Sequence, residues 1–338
     1  MKTNILATFI ATILLMSCSK DNQETTGNDP QKTTVYALAG SADASGKYTS
    51  KIWKDNTSAS YDATLMDIAV DGNDVYAVSS GSIQGSNRNY ILLWKNGKAD
   101  TLATANSQLQ AKAINVSNKN VYVAGYEYVG KMVAKVWKNG VATTLSSDAT
   151  FGTTVSDMEV VGDDLYVIGE AMYSNNASVP NVGMIWKNGQ PTKLTDGKAY
   201  IGLSKVFVSG TDVYVGGIEF NSAQVAVAKI WKNGTPTTLS DGKYQTYVYG
   251  LLVDGKDVYA TLEENIGANK TGKIWKNGVT TEFKDGTNPA VPFEIAKKDS
   301  VIYILGQVSN IVKLWKNNEG TQLTYDAQYS QPGTLIIK

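Results

Sequence analysis

Apolar residues along most of this chain alternate with polar ones or come in short runs, and Gly, Asp and Asn cut the runs. Alternation with period two, rich in Val, Ile, Tyr and Thr, predicts strands, and no long stretch has helical period. Typical pieces are Met158-Glu159-Val160-Val161, Val213-Tyr214-Val215-Gly216 and Gly250-Leu251-Leu252-Val253. Between them sit tight-turn sequences such as Asp71-Gly72-Asn73-Asp74 and Asp254-Gly255-Lys256-Asp257. A short phrase, most often Trp-Lys-Asn-Gly, starts at Trp53, Trp94, Trp137, Trp186, Trp231, Trp275 and Trp315, and it uses all the tryptophans of the chain. Asn-Gly suits a two-residue hairpin turn, because both central positions need positive φ.

A second marker, a Tyr after an apolar residue, keeps step at Tyr36, Tyr76, Tyr122, Tyr166, Tyr214, Tyr259 and Tyr303. From Trp to the next Tyr the length is nearly constant; from Tyr to the next Trp it varies. Each unit therefore reads as four strands. Strand a leads into a tight turn, strand b carries the Tyr, and a variable loop follows. Strand c ends on the Trp, and strand d is Thr-rich and ends on Tyr61, Leu102, Leu145, Leu194, Leu239, Phe283 or Leu323. Four-stranded units repeated at this period predict a seven-bladed β-propeller. The C-terminal strand Thr334-Leu335-Ile336-Ile337 is expected to supply strand a of the blade whose other strands come from residues 33 to 61, closing the ring. One Trp and one Tyr per unit at fixed register are expected to fill the gap between neighbouring blades.

Strand b ending in Gly with a Trp further on resembles kelch repeats. Leu93-Trp94-Lys95-Asn96-Gly97 with Thr101-Leu102 resembles short extracellular repeats of bacterial surface proteins. Both resemblances span about residues 33 to 338 and imply fold and location rather than activity. The N-terminus reads as a secretion signal: Met1-Lys2, then an apolar core from Ile5 to Met16, too short to span a bilayer. Leu15-Met16-Ser17-Cys18 resembles the lipobox of bacterial lipoproteins, which implies cleavage before Cys18 and its acylation. Cys18 is the only cysteine in the chain. Ser19-Lys20-Asp21 resembles the export tag of Bacteroidetes-type surface lipoproteins, implying an outer-membrane location, with both faces of that membrane open. The expected organisation is residues 1–17 signal, 18–32 lipidated Cys and flexible tether, and 33–338 propeller.

Composition narrows the chemistry. Net charge is zero, histidine is absent, and Arg88 is the only arginine. Ser-His-Asp and Cys-His catalysis, His-ligated zinc or copper, and an imidazole base are excluded. So is a sialidase-like arginine cluster. Without a basic excess, nucleic-acid binding is not expected. Asp, Glu, Lys and Tyr remain.

The a–b and c–d turns should share one face, with a Lys after every Trp and Asp in most a–b turns, read as a solvated, charge-mixed rim. The other face carries the irregular loops. Glu127, Glu170, Glu219, Glu263 and Glu264 fall four or five residues after a Tyr marker, and Glu294 is assigned to the same face. Loop acids Asp148, Asp196, Asp241, Asp285 and Asp326 join them, with Tyr126, Tyr128, Phe151, Tyr173, Tyr200, Tyr244, Tyr247 and Tyr329. Three readings stand. Strand ends are simply polar; or acids and rings bind a sugar, or Ca²⁺ through oxygen ligands; or two carboxylates cleave a glycosidic bond, with Glu127, Glu170, Glu219 and Glu263 as candidates. Glu159 and Asn115, mid-strand a, are expected to line a central channel. The first functional expectation is a non-catalytic envelope lipoprotein that binds a glycan or a protein partner. The alternatives are a carboxylate-based glycan-active enzyme on the same face and a structural subunit of an envelope complex.

Overall fold

The computed structural model describes residues 33–338 apart from 146, 175, 177 and 325–328. The expected signal segment, Cys18, the tether and Asp326 lie outside the described residues. The described part contains strands and no helix. Repeat 1 supplies β1 (Val35–Ala42), β2 (Tyr48–Lys54) and β3 (Thr57–Tyr61). Repeat 2 is β4 (Leu65–Asp71), β5 (Asp74–Ser82), β6 (Asn89–Lys95) and β7 (Lys98–Ala105). Repeat 3 is β8 (Leu109–Ser117), β9 (Asn120–Tyr128), β10 (Met132–Lys138) and β11 (Val141–Thr144), followed by a two-residue strand β12 (Gly152–Thr153). Repeat 4 is β13 (Asp157–Val161), β14 (Asp164–Met172), β15 (Val182–Lys187) and β16 (Gln190–Lys193). Repeat 5 is β17 (Ile201–Ser209), β18 (Asp212–Phe220), β19 (Ala226–Lys232) and β20 (Thr235–Thr238). Repeat 6 is β21 (Gln245–Asp254), β22 (Asp257–Ile266), β23 (Asn269–Lys276) and β24 (Val279–Glu282), with the small hairpin β25 (Lys284–Asp285) and β26 (Asn288–Pro289) after it. Repeat 7 is β27 (Val291–Lys298), β28 (Val301–Val308), β29 (Ile311–Lys316) and β30 (Glu319–Gln322), and β31 (Tyr329–Ile337) ends the chain.

The arrangement is that of a β-propeller built from small antiparallel sheets. Five separate four-stranded sheets are present, not seven. The strands of repeats 3 and 4 form one nine-stranded sheet, because β12 pairs with β10 on one side and β14 on the other. β31 pairs antiparallel with β1, as strand a of that sheet. The strand-a elements β4, β8, β13, β17, β21, β27 and β31 contact one another in that order, and β31 contacts β4.

The repeat phrase has a mechanical explanation. Asn96, Asn139, Asn188, Asn233, Asn277 and Asn317, with Asp55 in repeat 1, all have φ near 50°. Their side-chain oxygens accept the backbone N–H of the residue before each marker Tyr, for example Leu165 N to Asn188 Oδ1 at 2.8 Å. Their own N–H groups donate back to the carbonyl of that same residue. One residue thus turns the c–d hairpin and pins the start of strand b. The preceding Lys lies over the marker Tyr ring and, in four repeats, pairs with the Asp that opens strand b: Lys95–Asp74, Lys187–Asp164, Lys232–Asp212 and Lys276–Asp257, at 2.7–2.8 Å.

Seven apolar clusters form the core, each spanning two neighbouring repeats. In every one the Tyr of one repeat meets the Trp of the next: Tyr122 with Trp186, Tyr166 with Trp231, and so on to Tyr303 with Trp53. The markers recur because each interface needs the same pair of large rings. Trp186, Trp231 and Trp315 are fully buried.

Candidate functional sites

Most of the expected acids on the loop side are already engaged. Glu127 pairs with Lys135, Glu219 with Lys229 at 2.6 Å, and Glu264 with Lys273 at 2.6 Å. In each case the Lys stands two residues before the Trp on strand c, diagonal to the Glu on strand b, a geometry that favours opposite charges. Glu263 is only 2% exposed; it pairs with Lys270 at 3.0 Å and accepts from the Tyr249 hydroxyl. Glu170 turns inward and accepts from Thr154 Oγ1 (2.6 Å), Ser156 Oγ (3.2 Å) and Leu203 N (2.8 Å). Asp148 is held by Tyr173 and Lys193, Asp285 by Lys313 and Trp315, and Asp196 by Lys198. Asp241 accepts from the Lys243 N–H. No group of three or more His, Cys, Asp or Glu suited to a metal occurs among the described residues.

The aromatic candidates divide. Tyr126 is buried, its hydroxyl donating to Gln110; Tyr247 is half-buried on β21; Tyr244 lies under the Lys243 ammonium; Tyr329 is exposed at the start of β31. Tyr128, Phe151 and Tyr200 do converge. With Met132, Met172, Val179 and Phe220 they line a groove of about 740 Å³ on the loop side of repeats 3 to 5. Tyr128, Phe151 and Val179 are 45%, 41% and 44% exposed, unusually open for large apolar groups. The loops reach this position because β12 ties repeat 3 to repeat 4: Gly152, at φ 139°, lets the chain approach Met132 so closely that a Cβ would meet its carbonyl oxygen at 2.8 Å.

A second site was not foreseen as a unit. Nine residues before each marker Tyr, strand a carries Asp67, Ala113, Asp157, Lys205, Gly250 and Glu294, and β31 puts Thr334 in the corresponding place. These positions form one layer among the inner strands, and Glu294 belongs here rather than on the loop face. Register shifts in six of the seven strand-a elements fall beside it, an irregularity that re-aims side chains. Lys205 bonds Glu294 at 2.7 Å, and both are largely buried. Asp67 accepts from the Thr334 hydroxyl and from Ile114 N (2.8 Å); Asp157 accepts from Val206 N (2.9 Å). One step along, Glu159 accepts from Val208 N at 2.5 Å. On one side of the layer is a cavity of about 260 Å³ lined by Asn115 and Glu159, as expected; on the other is one of about 200 Å³, walled by the stacked rings of Tyr249 and Phe293.

Burial pushes the Asp67 carboxyl up to about 6, against the pull of Lys205, Thr334 and Ile114 N–H. Burial likewise pushes Glu159 up to about 8, with Val208 N–H opposing and Asp157 adding. Glu294 is raised by burial, which Lys205 partly offsets. Burial draws the Lys205 ammonium down, but Glu294, Asp157 and Asp67 together outweigh it and hold it above the ordinary lysine range. The signal for this layer was in the chain: charged residues at a fixed distance before an otherwise regular marker, in strands that elsewhere are apolar.

The sequence matches no protein-family model and no curated protein sequence. Solved structures are similar in fold. Uncomplexed acylaminoacyl peptidase of Pyrococcus horikoshii is 15% identical with TM-score 0.54, covering 87% of this chain and 51% of that one. A puromycin-hydrolysing peptidase of Mycobacterium tuberculosis is 11% identical with TM-score 0.54, covering 79% and 47%. This chain spans about half the length of these proteins, and at such identity the likeness concerns the fold alone.

Proposed function

We propose that this protein is a non-catalytic lipoprotein of the outer membrane, anchored through Cys18, whose seven-bladed propeller presents its loop-face groove to a glycan. The seven-blade count treats the nine-stranded sheet as two blades bridged by β12. The seven interface clusters support it, as does the contact of β31 with β4. The observation that carries the binding reading is the open aromatic groove of Tyr128, Phe151 and Tyr200. Its volume is that of a ligand pocket, and ring faces suit the C–H faces of sugars.

The glycan-active alternative needs two carboxylates facing one substrate. Glu127, Glu170, Glu219 and Glu263 sit on four different strands, each with its own partners, and no two of them line a common cavity among those described above. A glycan-array screen of the mature protein tests the proposal, with Tyr128→Ala and Phe151→Ala as controls. Binding that both variants reduce at least tenfold is expected. An array without hits, together with a protein that co-purifies through the groove, replaces the glycan by a protein partner.

A further inference from the structure

We propose that the layer on the propeller axis, with Glu159 beside it, is a proton-binding clasp that holds the inner strands together more firmly as the surroundings become mildly acidic. Geometry carries this. Asp67 joins β31, β4 and β8; Asp157 and Glu159 join β13 to β17; Lys205 and Glu294 join β17 to β27. Three carboxylates of the layer and the nearby Glu159 face one ammonium. Where acids outnumber ammonium groups in a largely buried cluster, the remaining negative charge is relieved by protons. Two other ammonium groups, Lys112 and Lys338, line the two cavities and reduce the excess of four carboxylates without cancelling it. Lys112 of β8 lies over the Tyr126 ring, and burial lowers it below the ordinary lysine value despite the attraction of Glu170. Lys338, at the end of β31, lines the turn-side cavity. β21 contributes Tyr249 and Gly250, neither charged, and Glu263 behind Tyr249 is paired with Lys270.

Between its unfolded and folded values each raised carboxyl keeps a proton in the folded chain that the unfolded chain has released. Stability therefore falls as pH rises through that window, from 3.8 to about 6 for Asp67 and from 4.5 to about 8 for Glu159. Lys112 acts in the opposite sense, and only toward alkaline pH. Because the chain has no histidine, no imidazole contributes in the same range. A protein without histidine would thus still carry a near-neutral titration.

The test needs only the wild-type chain to begin. Unfolded with guanidinium in unbuffered solution at pH 7, it is expected to release roughly one proton per chain, and its thermal midpoint should fall on the order of 5 °C between pH 5.5 and 8.5. Glu159→Gln should remove most of the release, and Asp67→Asn should flatten the profile below pH 6. No proton release from the wild type, or a Glu159→Gln protein that folds and keeps the wild-type slope, overturns the proposal. Should the variants not fold, carboxyl carbon NMR of the wild type decides: a glutamate titrating near 8 is expected, and none above 6 refutes it.

Discussion

The two faces of this domain use the same residue types to opposite ends. On the turn face, Lys, Asp and Asn repeat at fixed register; each turn Asn, and in four repeats the Lys, bonds the start of the neighbouring strand b, as Asn188 does Leu165 and Lys187 does Asp164. On the loop face the glutamates are engaged too, but two of the aromatic residues near them, Tyr128 and Phe151, stand open. The difference shows that regularity marks construction, whereas an exposed ring in a loop without a counterpart in other repeats marks something the fold itself does not require.

The comparison breaks most easily at the interfaces. Trp186→Ala removes a fully buried ring and should cost about 3–5 kcal/mol in denaturant unfolding. If Phe151→Ala cost as much, the loop face would be structural as well. Glu170→Ala leaves three donors behind and should cost about 2–3 kcal/mol. That would separate this inward glutamate from the others near the loops. Asn188→Ala should cost about 1–2 kcal/mol, and Asn188→Gly less, because Gly keeps the left-handed turn but loses the acceptor for Leu165 N–H. Glu219→Gln, at a partly exposed pair with Lys229, should change stability by about 0–1 kcal/mol. Phe151→Ala comes last, expected within about 0.5 kcal/mol of wild type by thermal unfolding.

Much of this architecture was legible from two markers. Trp and Tyr at constant spacing expose the unit, and Asn-Gly exposes the hairpin, because local turn chemistry and one large ring per interface are written into single residues. The fusion of repeats 3 and 4 was not legible. It depends on Gly152 and Thr153 finding a gap between β10 and β14, a tertiary event in a segment that lacks strand-like alternation. The pairing of the loop glutamates is not written in strand b alone. Lys135, Lys229 and Lys273, each two before a Trp, were the missing half, and cross-strand register is what brings them together. Asp67, Asp157 and Lys205 escaped for a similar reason: each lies on a different strand, and only their common distance from the Tyr marker places them side by side.

The pairing of β1 with β31 also bears on how the chain is made. Those strands come from opposite ends of the domain, yet they share one four-stranded sheet. During synthesis, the first repeat emerges without its inner strand and keeps an unpaired edge until β31 is translated. The later repeats can dock on one another in order, since each interface joins neighbours. Pairing β31 with β1 is the long-range step, and its loop-closure entropy is met only once. Loss of a few C-terminal residues would thus leave the repeats largely formed but deny the first sheet its partner.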